Sequence, residues 1–220
     1  MDYTLINARP SPYGRKVAIA LIEKGISYDV QYDVPWASGT CTPEYSPLEQ
    51  LPILVSVDDE RIYDSTYILD WLEKRHPEPA LLPEDVDGLL FEKRLQMLGE
   101  RLMEIAQTLV FELQRENPSE AWIARQSRKI RGGLDELERF IGDRHRGDRD
   151  SISLGDIAVG TTLLIWEYMI EAGFSPDYPA FHWRVGHPNL SRYATALDSR
   201  PSFRETRPQM MEVNLKENVN

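Results

Sequence analysis

Two hydrophobic rhythms divide this chain. Up to about residue 76 the apolar residues form short runs or alternate with polar ones; beyond residue 88 they recur at steps of three and four. The first rhythm is that of strands interleaved with helices, and the second that of helices alone. Tyr3-Thr4-Leu5-Ile6 predicts a buried strand over 2–6. Tyr13, Val17, Ala20 and Leu21 share one face of a helix over 12–24, which Gly25 ends in the left-handed conformation glycine tolerates. Residues 28–33 alternate as a half-buried strand does. A strand, a helix and a strand this close predict a right-handed βαβ unit.

The stretch 34–52 carries five landmarks of irregular chain, Pro35, Gly39, Pro43, Pro47 and Pro52. It predicts a loop with a short helical turn near 43–48 and Trp36 as its large anchor. Strands over 52–57 and from Arg61 form a hairpin around Asp58-Asp59-Glu60. A helix over 65–76 follows, capped by Asp64 or Ser65, with Ile68, Leu69 and Leu72 inward, and His76-Pro77 ends it. The order βαβ then ββα predicts a thioredoxin-like domain over 1–78.

A Pro- and acid-rich linker is expected over 79–88. Leu95, Leu98, Leu102, Ile105, Leu109 and Leu113 then predict a long helix over 89–115. Pro118-Ser119 restarts the chain, and Ile123, Ile130, Leu134, Leu137 and Ile141 mark a second long helix to about 142. The run 142–150 reads as a charged, solvated connection. Ser153 with Asp156 three residues on resembles a capping box, and the nearly all-apolar segment 154–171 predicts a helix buried in the middle of its domain. A shorter helix follows His187-Pro188-Asn189, and Arg200-Pro201-Ser202-Phe203 begins a last turn. The expected architecture is therefore α/β followed by all-α: an all-helical domain over 89–207 and a frayed tail over 208–220.

Composition narrows the functions. With 220 residues, 41% hydrophobic and 28% charged, the chain is long enough for two modest globular domains. A net charge of −11 argues against binding the phosphate backbone of nucleic acid. No segment is apolar and long enough to span a bilayer, the N-terminus lacks a signal-peptide pattern, and Cys41 is a single cysteine. The expectation is a cytoplasmic protein without a disulfide framework.

Candidate chemistry starts at Ser11-Pro12. Serine suits a helix cap because its oxygen accepts from an orphan amide, and proline suits the first helical position. A hydroxyl there sits at the positive end of the helix dipole, a good place to hold an anion. By itself this is a cap. Combined with Leu51-Pro52-Ile53-Leu54 before a strand, Asp64-Ser65 opening the third helix, Ser153-x-x-Asp156, and the closing segment His187-Pro188-Asn189-Leu190 to Arg200-Pro201-Ser202-Phe203, it resembles the cytosolic glutathione transferase family along essentially the whole chain. The Ser11-Pro12-Tyr13-x-Arg15-Lys16 form looks most like the serine-type bacterial and fungal members.

That resemblance implies glutathione as co-substrate and no metal. Ser11 becomes the donor that steadies the glutathione thiolate, not a covalent nucleophile; no histidine–carboxylate pair stands beside it, since His76, His145, His182 and His187 are scattered. Leu51-Pro52 matches the family's cis-proline site, where the residue before the proline pairs with the cysteinyl part of glutathione like an added strand. Asp64 and Ser65 match the pair that holds the γ-glutamyl end, and Gln50 falls at the glycyl end. The usual basic residue of the preceding loop has no counterpart in 36–44. Tyr13, Met103, Gln107, Phe111, Trp166 and Met169 are candidates for an electrophile pocket between the domains, and Cys41 lies away from it. Of Arg15 and Lys16, at least one is expected in a structural ion pair or at the surface.

The resemblance also implies a detoxifying transfer to a hydrophobic electrophile, with a homodimer as its vehicle. Two further readings stay open: a binding or regulatory module of the same fold without turnover, and glutathione-dependent dehalogenase or peroxidase-type chemistry. Thiol–disulfide exchange would need a sulfur where Ser11 stands.

Overall fold

The computed structural model describes residues 2–143, 151–173 and 177–211. Strand β1 (Tyr3–Asn7), helix α1 (Pro12–Glu23) and strand β2 (Tyr28–Tyr32) come first. The one-turn helix α2 (Thr42–Tyr45), strands β3 (Ile53–Ser56) and β4 (Arg61–Ile62) and helix α3 (Ser65–Arg75) follow. The strands form one mixed sheet in the order β2-β1-β3-β4; β1 is parallel to β2 and antiparallel to β3, which is antiparallel to β4. Leu5 faces Leu54 across β1 and β3, and Leu54 faces Ile62 across β3 and β4, all three buried. Helix α1 is buried from Gly14 through Leu21. Gly14 permits its close seat on β1, because a Cβ there would fall 1.7 Å from Asn7 Oδ1.

Helices α4 (Val86–Leu113), α5 (Glu120–Asp143), α6 (Leu154–Glu171), α7 (Pro188–Asp198) and α8 (Pro201–Glu205) build the second half, with a 3₁₀ turn at Pro179–Phe181. The capping box of α6 is complete: Asp156 N donates to Ser153 Oγ at 3.0 Å, and Ser153 N donates to Asp156 Oδ2 at 2.9 Å. Its flank packs on α4 at Gly99, where a Cβ would lie 2.8 Å from the Ala158 backbone. Thr162 Oγ1 closes the contact by donating to Gly99 O at 2.9 Å. No helix among the described residues is long and apolar enough to cross a membrane.

Helix α4 departs from its expected start. It begins at Val86, inside the stretch read as linker, because Asp85 caps it by accepting from Gly88 N at 2.7 Å. Of the expected charged connection 142–150, Gly142 and Asp143 are the last residues of α5, while 144–150 lie outside the described residues. Of the expected tail, 212–220 likewise lie outside them.

Side chains of α1 join the halves. Lys16 is fully buried and pairs with Glu100 of α4 at 2.7 Å, as one of the two basic residues was expected to do. Arg15, also buried, donates to Phe203 O of α8 at 3.0 Å. At the other end of α1, Glu23 pairs with Arg200 at 2.9 Å and accepts from Ser202 at 2.5 Å.

Candidate functional site

Between the halves lies a cleft of about 750 Å³. Three consecutive residues, Ser11, Pro12 and Tyr13, line it, and so do Tyr63, Asp64 and Ser65. The side of a helix cannot present three consecutive residues to one surface, but its end can. The N-terminal ends of α1 and α3 therefore converge on the cleft. Each end carries unpaired backbone amides and the positive pole of its dipole, so the floor is built to receive anions.

Ser11 caps α1 by accepting from Gly14 N at 3.2 Å. That contact uses a lone pair and leaves the hydroxyl proton to be donated. Asp64 caps α3: its Oδ1 accepts from Thr66 N at 3.0 Å and Tyr67 N at 3.2 Å. Ser65 is buried beside it. The third wall of the floor is Gln50, Leu51 and Pro52, with the Leu51–Pro52 bond cis. Glu49, just before, holds a left-handed backbone (φ 51°) that turns the chain into this wall.

The opposite wall comes from the helical half. Met103, Ala106, Gln107 and Val110 follow the three- and four-residue steps of one face of α4, and Ile165, Trp166 and Met169 do so on α6. Glu104 and Phe111 complete the α4 contribution. Tyr13 bridges the two walls, its hydroxyl donating to Gln107 Oε1 at 3.0 Å. Burial pushes the Tyr13 phenol well above its usual range, and the carboxylates of Glu104 and Glu100 push it the same way.

The structure thus gathers every residue singled out from the sequence, Ser11, Tyr13, Gln50, Leu51, Pro52, Asp64, Ser65, Met103, Gln107 and Trp166, around one cavity. Trp36, Phe181 and Met211, which no sequence motif placed there, line it too. Trp36 stood out as a loop anchor; Phe181 and Met211 sit in segments with no periodicity, and only the fold brings them near. Charge is one-sided among the described residues: Glu49, Asp64 and Glu104 line the cleft, and no described Lys, Arg or His does. Cys41 is absent from the lining and packs on Asp33; burial and that carboxylate push its thiol up.

Comparisons with known proteins agree with this architecture. Residues 5–80 match the glutathione S-transferase N-terminal domain and residues 120–196 the glutathione S-transferase C-terminal domain. An uncharacterized GST-like protein of Escherichia coli, YibF, is 30% identical over 206 residues, spanning 93% of this chain and 98% of that protein. A glutathione S-transferase of Methylobacterium radiotolerans, solved with glutathione sulfonate, is 43% identical with a TM-score of 0.86, covering 97% of this chain and 98% of that one. One from Methylobacillus flagellatus with glutathione bound is 30% identical with a TM-score of 0.83, covering 94% and 100%. With a matching two-part fold, and two helix N-termini facing an apolar helical wall, the chain belongs to the glutathione S-transferase family.

Proposed function

We propose that the protein is a serine-type glutathione transferase that directs the glutathione thiolate at a hydrophobic electrophile. The convergence of the α1 and α3 N-termini on one cleft carries this reading. Glutathione lies along the floor. Its γ-glutamyl carboxylate meets Ser65 and the first amides of α3, and its ammonium meets Asp64. The Leu51 backbone pairs with the cysteinyl part as an added strand does. This sets the sulfur at the end of α1, where Ser11 donates to it.

The Ser11 hydrogen bond favours the charged form of the thiol. A bond to an ion contributes about 1.5–3 kcal/mol, or about one to two pKa units. From an unperturbed value near 8.5, this raises the thiolate fraction at pH 7 from ~3% to about half. The thiol proton leaves to solvent, and the sulfur attacks the electrophile lodged against Met103, Trp166 and Met169. The glycyl carboxylate faces Gln50 and, among the described residues of the lining, no cation, so it stays hydrated at the mouth.

Two copies assemble through the outer face of α3 and α4, where Tyr67, Val86, Leu90 and Met97 are exposed.

The test titrates the thiol of bound glutathione and follows conjugation of an aryl halide in the wild type and in Ser11→Ala. The expected result is retained binding, a thiol pKa higher by one to two units and a rate loss of about tenfold or more at pH 7. A wild type that does not bind glutathione sinks the site assignment. Unchanged titration and rate in Ser11→Ala reduce Ser11 to a cap.

A further inference from the structure

We propose that Tyr13 is a second catalytic hydroxyl in this cleft, donating to the carbonyl oxygen of an α,β-unsaturated carbonyl substrate as the glutathione thiolate adds to it. The proposal deepens the glutathione reading above and rests on it.

Position is the first observation. Tyr13 stands two residues beyond Ser11 on the same helix end, and both line the cleft. A sulfur held by Ser11 therefore shares the cleft with this phenol, whose hydroxyl reaches the helical wall that receives the electrophile.

The second observation is the Tyr13–Gln107 hydrogen bond, 3.0 Å long and spanning the cleft from α1 to α4. Gln107 is exposed. Its amide loses little by turning to water, so a carbonyl oxygen arriving between α1 and α4 can replace Gln107 Oε1 as the acceptor. The hydroxyl is already turned toward the place such an oxygen would take once Gln107 Oε1 swings out.

The third observation is what the rest of that wall offers. Met103, Val110, Phe111 and Met169 are apolar, Trp166 Nε1 is buried in the wall, and Glu104 only accepts. An oxygen seated there finds Tyr13 as its hydroxyl donor. Burial and the two nearby glutamates keep that phenol protonated through the whole working pH range, so it is always a donor. A phenol this reluctant to ionise supplies a hydrogen bond rather than surrendering its proton.

The reaction balances without a co-reactant. The thiolate forms a C–S bond to the β-carbon. The C=C π pair shifts toward the carbonyl carbon, and the carbonyl π pair moves to oxygen as enolate charge. Tyr13 O–H donates to that oxygen while the charge is there, which is where a fixed donor lowers a barrier. Water then protonates the α-carbon, returning the proton the thiol released. The substrate class is an apolar enone or enal, with its oxygen toward Tyr13 and its tail against the Met and Trp side chains.

The experiment compares two electrophiles, an aryl-substituted enone and benzyl chloride. The second carries no oxygen, and its leaving charge goes to chloride. In Tyr13→Phe the expected result is a loss of about 10- to 100-fold in kcat/KM for the enone. Benzyl chloride turnover falls far less, so the ratio of enone to benzyl chloride kcat/KM drops about tenfold or more, while the glutathione Kd stays within about twofold of wild type, the pKa of the bound thiol does not rise, and the retained Kd certifies the fold. Gln107→Ala removes the acceptor and leaves the donor, so it should not reproduce the enone loss. Equal losses on both substrates, no loss on either, or a Gln107→Ala loss equal to that of Tyr13→Phe each overturn the proposal. A raised thiol pKa in Tyr13→Phe also overturns it, because Tyr13 then serves the sulfur. A wild type that uses benzyl chloride but not the enone overturns it as well. Failure of the glutathione reading itself appears separately, as absent glutathione binding in the wild type.

Discussion

Lys16 Nζ lies 2.7 Å from Glu100 Oε1, and this pair fastens α1 to α4, the helix that faces it across the cleft. The two side chains are not equally buried: 1% of the lysine is exposed and 12% of the glutamate. Glu100 also accepts from Gln96 Nε2 at 3.2 Å. Removing the carboxylate strands a cation in the core, whereas removing the cation leaves a carboxylate with another donor and some water. Glu100→Ala should therefore cost about 3 kcal/mol, near the range for breaking a buried pair, and Lys16→Met clearly less. Urea unfolding of the two variants measures the difference; equal costs, or the reverse order, would contradict it.

Ser11 holds a helix and, in the proposed mechanism, a thiolate, and one substitution separates the two roles. Aspartate caps a helix as well as serine does. Ser11→Asp should hold the stability of wild type, while Ser11→Ala loses about 1 kcal/mol with the Gly14 N contact. Conjugation should show the opposite order. A carboxylate beside the sulfur repels the thiolate, so Ser11→Asp should be slower than Ser11→Ala. Thermal melts and aryl halide assays on the same three proteins decide the matter.

Asp33 organises the loop that carries Pro35 and Trp36 to the cleft. Burial raises its pKa, but hydrogen bonds from Thr42, Thr40, Val34 N and Cys41 outweigh that and hold it down to about 2. The unfolded value is near 3.9, so the folded state binds fewer protons between the two. The carboxylate's contribution is present above about pH 4 and is lost as pH falls from there through about 2. Asp33→Asn should destabilise the protein by about 1 kcal/mol at pH 7, with the gap narrowing as pH falls from about 4 and closing only below about 2. It should also raise KM for glutathione, because Trp36 loses its support. A stability gap that persists in acid would assign the effect to shape, not charge.

What could be read from the sequence was whatever is local. Ser11-Pro12, Asp64 and the Ser153–Asp156 box are self-contained caps, and each one opens a helix where its chemistry says. The start of α4 was hidden because Asp85 stands in a Pro- and acid-rich run that looks like linker. Arg15 shows a different limit. Its partner, Phe203 O, is 188 residues away, and nothing near Arg15 announces a buried guanidinium. Phe181 is similar: a three-residue 3₁₀ turn brings it to the cleft, too short to leave a periodic trace. The helix-end side of the cleft was legible from motifs, and on the helical side Met103, Gln107, Phe111, Trp166 and Met169 were legible as candidates. What the sequence did not show there is Phe181, which the Pro179–Phe181 turn brings in through long-range contacts.

The proposed homodimer has a defined face. Val86, Leu90 and Met97 lie at steps of four and seven along α4, one stripe of a helix. All three are exposed, and so is Tyr67 of α3. The two helices are neighbours here, since Lys93 pairs with Asp70. A run of large apolar side chains across two adjacent helices is what a partner surface offers, and a stable interface covers about 800 Å² on each copy. An arginine pair on that stripe, Leu90→Arg with Met97→Arg, puts like charges face to face across a two-fold axis and should dissociate the dimer. Sedimentation velocity is expected to give two-chain particles for wild type and single chains for the double variant. A wild type that sediments as a monomer, or a double variant that stays paired, rules out this face.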